Sequence, residues 1–347
     1  RMWKRGSGMW PFDCKNVIAQ HNKFMNAHGP MDSYGSHIDY GNENVVFQYN
    51  YSYNNEGGFA EILGDNINCG YRYNISVNDG YREDPYGTPW AAKGKIFWVS
   101  NFCGQNPIRC PSIGTFIYNN TIFVNDTLNP EIYFWPDVGD VHVYNNLIVV
   151  GQNGEVIPTL IENNLNDLYI SHNLFYDSSR FDLDNDLENN ALYGDPLLLN
   201  SFNLGENDPN AYKIENNSPA IGSGFLINGS TDSINYLQHN GGLDYFGNSV
   251  SHYFPSNIGA FNGTGAVDIL SIKVDDIKIF PSVTDNYVNI SIQKYSGSMQ
   301  TEIYSMNGDL MSVQSGSKLS FKKYKSGTYF CVVTYGNKNK TFRVVKL

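Results

Sequence analysis

The sequence contains few charged residues, and the basic ones are the scarcer kind. Asp, Glu, Lys and Arg make up 16% of its 347 residues, with 23 Lys and Arg against 34 Asp and Glu. Because no excess of cations is present to displace counterions from phosphates, nucleic acid is not an expected partner. No apolar run approaches the roughly 20 residues that cross a bilayer, so no transmembrane segment is expected.

Residues that favour long helices, namely Ala, Leu, Glu and Lys, are also sparse, whereas 33 Gly, 25 Tyr, 20 Phe and many Asn are present. This composition favours turns and aromatic β-structure and argues against an all-α protein. Residues 1–266 hold 12 Lys and Arg against 28 Asp and Glu, a balance of −16, while residues 267–347 hold 11 against 6, a balance of +5. We therefore expect two regions with different surfaces.

The five cysteines include no CxxC pair, which argues against a zinc module or a disulfide-dense miniprotein. Cys103 and Cys110 flank a short polar loop, and in an oxidising compartment they can form a disulfide. Residues 1–8 contain no apolar run of the kind that marks a signal peptide. We expect that N-terminal coils of the protein are missing from this sequence.

Six segments share one pattern, in which apolar residues stand five and three positions before an Asn and usually two positions after it. They cover residues 17–22, 45–50, 69–74, 115–120, 141–146 and 168–173. The intervals between their final asparagines are 28, 24, 46, 26 and 27 residues, so the third is either two turns or one turn with a long insertion. The pattern predicts short strands that stack turn upon turn, with buried Asn side chains bonded to one another at each bend.

A second set of strands is predicted between these segments, at residues 36–40, 58–62, 95–99, 131–135 and 156–160. A turn with at least two strands is typical of a parallel β-helix. Residues 14–261 resemble the right-handed parallel β-helix family of pectate-lyase-like proteins, through the Asn-ended coils and the closing motifs at 194–197, 217–222, 244–248 and 257–261. The resemblance implies a β-helix over residues 1–261 and a function among polysaccharide lyases or glycoside hydrolases.

After a Gly-rich linker at residues 262–267, short alternating strands over residues 268–347 predict a small antiparallel sandwich. This tail resembles the type A sorting domain of the type IX secretion system, through its Phe280-Pro281 entry, the Tyr-Ser-Met-Asn-Gly hairpin at 304–308 and the Gly-Thr-Tyr strand at 327–329. The resemblance implies secretion, with the type IX machinery as a partner. The alternative interpretation is a carbohydrate-binding sandwich.

Strand alternation identifies candidate site residues on one outer face. If Ile38 points inward, His37 and Asp39 point outward, and in the next coil Phe59 and Glu61 do the same. Asp39 and Glu61 would then be neighbours, either as an acid and base pair, as Ca²⁺ ligands, or as a solvated pair without function. His37 is a candidate general base or a hydrogen-bond partner of the adjacent Asp39.

Further candidates lie in the neighbouring bends and strands. Glu56 and Asp79 could complete an acidic cluster. Arg82 is a catalytic candidate, because it could bind a carboxylate or sulfate of the substrate, neutralise the enolate of an elimination or act as the base of a lyase, as could Tyr40; alternatively it pairs with Glu83 or Asp84. The long segment 84–95 is expected to form a groove wall. Aromatic side chains that could stack on sugars, and a lysine that could serve as base in a lyase, complete the set: Tyr40, Phe59, Trp98, Trp135 and Lys95.

These features predict a secreted, monomeric enzyme that cleaves glycosidic bonds of an extracellular polysaccharide. The charge balance of −16 in residues 1–266 would repel an anionic polysaccharide unless Ca²⁺ or a basic cluster intervened. Hydrolysis by paired carboxylates, which requires no cofactor, is therefore favoured over Ca²⁺-assisted β-elimination. A noncatalytic polysaccharide-binding surface protein is the third alternative.

Overall fold

The computed structural model describes residues 6–83, 93–105, 107–125, 127–151, 154, 156–160, 167–176, 188–199, 208–227, 235–264, 277–292, 297–336 and 338–347. Two compact units divide the chain, Arg1–Val267 and Asp268–Leu347. Of the expected linker, residues 262–264 are described, and 265–267 lie outside the described residues.

The first unit is built from short strands, with a single 3-10 helix at Pro209–Tyr212 among its described residues. In chain order the strands are β1 (Lys15–Gln20), β2 (Lys23–Met25), β3 (Tyr34–Ile38), β4 (Glu43–Gln48), β5 (Tyr51–Tyr53), β6 (Gly58–Ile62), β7 (Gly70–Arg72), β8 (Ile75–Val77), β9 (Lys95–Val99), β10 (Ser112–Tyr118), β11 (Thr121–Val124), β12 (Glu131–Phe134), β13 (Gly139–Tyr144), β14 (Leu147–Val150), β15 (Ile157–Leu160), β16 (Leu168–Ser171), β17 (Leu174–Tyr176), β18 (Glu188–Asn189) and β19 (Leu192–Tyr193).

These strands form three parallel sheets, each of which takes one strand from successive coils. The first sheet has the order β1-β4-β7-β10-β13-β16-β18, the second β2-β5-β8-β11-β14-β17-β19, and the third β3-β6-β9-β12-β15. The predicted all-β, parallel, stacked architecture is therefore confirmed, and each strand of the predicted second set corresponds to a strand of the third sheet. The right-handed sense and the pectate-lyase-like relationship stay predictions.

A ladder of asparagine side chains runs along the bends between the first and second sheets. The Nδ2 of each Asn donates to the Oδ1 of the Asn in the next coil, at 3.0–3.1 Å, through Asn22, Asn50, Asn74, Asn120, Asn146 and Asn173. Each backbone N–H, from that of Asn22 to that of Asn146, donates to the same Oδ1 at 2.8–3.1 Å. Because Asn74 bonds directly to Asn120, the interval of 46 residues is one coil with an insertion.

The interior of the solenoid is apolar. Residues that are partners in successive strands, such as Ala19 and Phe47, or Ile117, Val143 and Ile170, share one buried cluster. Side chains of the third sheet, including Ile62 and Phe134, enter the same cluster. Stacking the coils therefore removes from water an apolar face that a single coil would leave exposed.

Two of the three outer faces are covered by the closing part of the unit. Ala211, Tyr212 and Phe261 pack against outward side chains of the second sheet. Ile227 and Val250 pack against those of the first sheet. The outer face of the third sheet is different, because it carries ionisable and polar side chains, and we describe it below as the acidic face.

The disulfide that the sequence left open is present: Cys103 and Cys110 are bonded, with an S–S distance of 2.06 Å. Cys14, Cys69 and Cys331 are free thiols. Among the described residues no helix has the length and apolar character required to cross a bilayer.

The second unit is a small sandwich, as predicted. Its strands are β20 (Lys278–Phe280), β21 (Val283–Thr284), β22 (Tyr287–Ser291), β23 (Met299–Ser305), β24 (Leu310–Ser315), β25 (Lys318–Ser320), β26 (Gly327–Tyr335) and β27 (Lys338–Lys346). Sheets β20-β22-β25 and β21-β27-β26-β23-β24 share one core, in which Val288 and Leu319 meet Ile303 and Val333. All pairs are antiparallel except that of β21 with β27.

Candidate functional site on the third sheet

A row of polar and aromatic residues crosses the acidic face in register. The backbone of His37 pairs with that of Glu61, Glu61 pairs with Trp98, and Trp98 pairs with Tyr133. The N-terminal segment extends the row, since Met9 pairs with Ser36 and the Trp10 ring stacks on the His37 imidazole at 6.0 Å. The stacking of coils thus aligns side chains that are far apart in sequence.

His37 lies between the two predicted carboxylates. Its Nδ1 is 3.4 Å from Glu61 Oε2, and its Nε2 is 3.8 Å from Asp39 Oδ2. The predicted direct pairing of Asp39 with Glu61 is wrong in register, because the strand partner of Glu61 is His37 and Asp39 follows the end of β3. The three residues are nevertheless brought together, with the imidazole separating the carboxylates.

Glu61 is 3% exposed, and its environment favours the protonated form. Burial, reinforced by the negative charges of Asp32 and Asp39, raises the pKa of Glu61 to about 8, although His37 and Lys95 act in the opposite direction. Its Oε2 is buried without a hydrogen-bond partner among the described residues. A buried carboxyl group of this kind retains a proton near neutral pH.

The pKa of His37 is also raised. Burial lowers the pKa of this imidazole, but Glu61 in its ionised form, Asp39 and Asp32 stabilise the imidazolium and together outweigh that effect. Nδ1 also lies 3.2 Å from the hydroxyl oxygen of Ser7. His37 and Glu61 therefore form a buried pair that holds protons beneath Asp39, whose side chain is 20% exposed.

Asp32 acts electrostatically on this site and was missed by the sequence interpretation. Its charge raises the pKa of both His37 and Glu61, and its side chain is half-buried. Asp32 precedes β3 by two residues, so strand alternation assigned it no direction. The sequence did contain one signal. Asp32 lies just before β3, and Asp39 lies just after the same strand.

Lys95, Trp98 and Tyr133 form a second group on the acidic face. Lys95 Nζ lies 3.2 Å from Glu131 Oε2, 5.2 Å from the centre of the Trp98 ring and 5.7 Å from that of Tyr133. Burial lowers the pKa of Lys95, and Glu131 opposes this shift. Trp98 is half-buried and lies outside the apolar core cluster. Tyr133, its strand partner, was missed by the sequence interpretation.

Three predicted aromatic contacts have different surroundings. Phe59 is 3% exposed and packs in the core near the rings of Tyr71 and Phe97, so the prediction that it points outward is wrong. Strict alternation fails there because the consecutive residues Phe59 and Ala60 both join the core. Trp135 packs partly against the core under the guanidinium of Arg109, at 5.8 Å, and Tyr40 contacts the rings of Phe12 and Phe102.

Arg82 and Glu56 form a buried ion pair between coils. Arg82 Nε lies 3.5 Å from Glu56 Oε1, and its guanidinium also donates to the carbonyl of Gly29 at 2.7 Å. Glu56 Oε2 is 2.5 Å from His28 Nδ1 and accepts from the N–H of Gly29. These contacts tie the bends together, and Asp84, one of the two predicted partners of Arg82, lies outside the described residues.

Asp79 extends a second ladder at the bend that follows the second sheet. Its Oδ1 accepts from the N–H and Nδ2 of Asn55, at 2.9 and 2.8 Å, and its Oδ2 accepts from the hydroxyl of Ser76. Burial raises the pKa of Asp79 to about 6. The expected acidic cluster of Glu56 and Asp79 with Asp39 and Glu61 does not appear in these contacts.

Most of the predicted groove wall, residues 84–92, lies outside the described residues.

The acidic face is a poor match for calcium. Within the described part of the chain, no group of three or more His, Cys, Asp and Glu side chains is arranged to hold a metal ion. Asp39 and Glu61 contact different nitrogens of one imidazole, and the raised pKa of Glu61 favours a carboxylic acid rather than the carboxylate that Ca²⁺ prefers. The calcium site stays a prediction, and no step below depends on it.

Residues 278–347 match the family model described as "Secretion system C-terminal sorting domain". The protein is secreted or attached to the cell surface. The second unit is thus a type IX sorting domain, which confirms this part of the prediction for the tail and supports the type IX machinery as a partner, while the type A class stays a prediction. A curated relative, the Lacto-N-biosidase of Bifidobacterium longum subsp. longum, is 33% identical over 139 residues. That match covers 37% of this chain and 8% of the relative, and no solved structure matches the chain significantly.

Proposed function

We propose that the protein is a secreted carbohydrate-active enzyme that hydrolyses glycosidic bonds on the acidic face. The observation that carries this proposal is the position of His37 between the partly exposed Asp39 and the buried, proton-retaining Glu61. Trp98 and Tyr133 on the same face supply ring surfaces of the kind that stack on sugars. Similarity to a glycoside hydrolase and the sorting domain support a secreted enzyme of this class.

Hydrolysis breaks the bond between the anomeric carbon and the leaving oxygen, which gains a proton, while water adds a hydroxyl group to the anomeric carbon. One acidic and one basic group are therefore required. We assign the reacting carboxylates to Asp39 and Asp32, because both are partly exposed and both act electrostatically on the same buried pair.

Glu61 and His37 are assigned as positioning residues. Glu61 is 3% exposed, so its proton communicates with the sugar through His37 and the carboxylates above it rather than by direct contact. The His37 imidazole lies 3.8 Å from Asp39 Oδ2 on one side, and the backbone N–H of Tyr40 donates to Asp39 Oδ1 at 2.9 Å from another. This arrangement keeps Asp39 in one orientation, which is what a reacting carboxylate requires.

The test measures hydrolysis of a panel of substrates by the full chain and by the variants Asp39→Asn, Asp32→Asn and Glu61→Gln. The panel contains aryl glycosides, including an aryl lacto-N-bioside, together with neutral and uronate polysaccharides. The two Asp variants should lose about a hundredfold to ten-thousandfold in kcat, as expected for loss of an acid or base. Glu61→Gln should lose less and should shift the pH profile.

Azide added to the Asp variants distinguishes the two roles, because a small anion restores turnover where a carboxylate nucleophile or base is missing. If Glu61→Gln is as inactive as the Asp variants at every pH, Glu61 itself is the proton donor. If all three variants retain full activity on a substrate that the unaltered chain cleaves, the site assignment is wrong.

A second candidate function is β-elimination on an acidic polysaccharide. The observation that favours it is Lys95, whose pKa is lowered by burial and which lies next to Trp98 and Tyr133. A lysine with a lowered pKa is suited to act as a general base. Unsaturated products, detected by their ultraviolet absorbance and abolished by Lys95→Met, would identify this reaction, whereas new reducing ends without them identify hydrolysis. Binding without either product would identify a surface binder.

A further inference from the structure

A cavity of about 500 Å³ lies on the outer face of the first sheet, near the end of β13. It is built on a different sheet from the acidic face, because His142 and Tyr144 belong to β13. The residues that line it are His142, Tyr144, Phe225, Leu226, Ile227, Leu237 and Gln238. Its volume is within the range of small-molecule sites in proteins.

Aromatic rings dominate one side of this cavity. The imidazole of His142 stacks on Tyr169, with ring centres 4.8 Å apart and planes inclined by 13°. Tyr144 and Phe225 meet at 4.9 Å. Phe225, which lines the cavity, is 41% exposed, so part of its surface is available to a ligand.

A chain of hydrogen bonds supplies the polar groups. Asp140 Oδ1 lies 2.7 Å from His142 Nε2, and His142 Nδ1 lies 2.8 Å from the hydroxyl oxygen of Tyr144. The second oxygen of Asp140 accepts from the N–H of Gly114, which fixes the carboxylate. With Nε2–H donating to Asp140, Nδ1 accepts from the Tyr144 hydroxyl, whose oxygen is left as an acceptor beside the cavity.

The position of Phe225 is fixed by a side-chain amide. The N–H of Phe225 donates to Asn145 Oδ1 at 2.6 Å, and Asn145 Nδ2 donates back to the Phe225 carbonyl at 2.9 Å. Asn145 also donates to Asn119 of the preceding coil, at 3.1 Å. The backbone that carries the ring is therefore ordered before a ligand binds, which favours affinity.

We propose that this cavity is a second saccharide-binding site, which takes an uncharged sugar ring. Exposed ring faces suit the apolar C–H face of a pyranose, and the Tyr144 oxygen suits one of its hydroxyl groups. The lining given above contains no Lys or Arg, and Asp140 adjoins it, so a uronate would be repelled. The site binds polymer or product on a different face from the acidic face. This binding role does not depend on catalysis at the acidic face.

Saturation-transfer NMR and calorimetry on the full chain carrying Asp39→Asn provide the test, with cellotetraose and lacto-N-tetraose as neutral probes and tetragalacturonate as the charged counterpart. Phe225→Ala and Tyr144→Phe should each weaken the binding of a neutral probe by about fivefold. Tyr253→Ala is the matched control, because Tyr253 is 84% exposed and does not line the cavity.

Thermal melting confirms that each variant is folded. The proposal is overturned if neither neutral probe binds at millimolar concentration, if Phe225→Ala binds as tightly as Tyr253→Ala, or if tetragalacturonate is preferred. Loss of binding in Phe225→Ala together with unchanged hydrolysis in the otherwise unaltered chain separates this site from the proposed active site. Its failure would leave the assignment of Asp39 and Asp32 untouched.

Discussion

The buried Oε2 of Glu61 has its nearest described ionic neighbour in His37, whose Nδ1 is 3.4 Å away. The two side chains come from successive coils of the third sheet and are strand partners. Their pKa values are both raised, which means that the folded chain binds protons more tightly at this pair than the unfolded chain does. This relationship links the stability of the fold to the protonation of the proposed site.

Stability should therefore fall on the alkaline side. In the unfolded chain Glu61 ionises with a pKa near 4.5, whereas in the folded chain its pKa is about 8, so stabilisation present at low pH is lost as the pH rises through 8. Between pH 6 and 8 we expect a loss of about 2 kcal/mol in the free energy of unfolding.

Urea denaturation at several pH values measures this slope, and Glu61→Gln should flatten it. Asp79→Asn is the control, because the pKa of Asp79 is raised only to about 6 and its contribution is lost at lower pH. An unchanged slope between pH 6 and 8 in Glu61→Gln would contradict the prediction.

Removal of an Asn from the centre of the ladder should strongly destabilise the fold. Asn120 is fully buried, and its Oδ1 accepts from both the N–H and the Nδ2 of Asn74 at 3.0 Å. Asn120→Ala leaves these buried donors without their acceptor, so we expect a loss of about 2–4 kcal/mol in the free energy of unfolding. Asn22→Ala, at the exposed end of the ladder, should cost less than about 1 kcal/mol. Equal effects of the two substitutions, measured by chemical denaturation, would argue against a cooperative ladder.

The pair formed by Arg82 and Glu56 should be structural. Arg82→Met leaves the carboxylate of the buried Glu56 without the guanidinium, and we expect a loss of about 3 kcal/mol in stability. The double variant Glu56→Gln/Arg82→Met should recover much of that loss. A stable Arg82→Met variant with a raised KM would instead support the predicted role of Arg82 in binding substrate.

The disulfide between Cys103 and Cys110 closes a short loop, with a sequence separation of 7 residues. The double variant Cys103→Ser/Cys110→Ser should lose at most about 2–3 kcal/mol, because closing a short loop restricts the unfolded chain only moderately. Thermal unfolding with and without reductant measures the effect. Cys14→Ser is the control, since Cys14 is a free thiol and should show no response to reductant.

Much of the acidic face was accessible to sequence reasoning, but its register was not assigned correctly. Counting back 13 residues from Asn50 and from Asn74 gives His37 and Glu61, the pair that the structure brings into register. Alternation within each strand identified outward residues, but it contained no information about which of them meet across coils. Asp32, which lies outside any strand, could not be assigned by alternation at all.

The sequence by itself determined the stacked fold, because an Asn at each bend and apolar residues at fixed distances from it favour coils that stack with one Asn bonded to the next. It also determined the sorting domain, whose short motifs are local. Only the tertiary structure decided that the imidazole of His37 separates Asp39 from Glu61, and that Phe59 turns into the core. The physical reason is that contacts across coils depend on the length of every bend and on the space between large side chains, and neither is encoded in the alternation of a single strand.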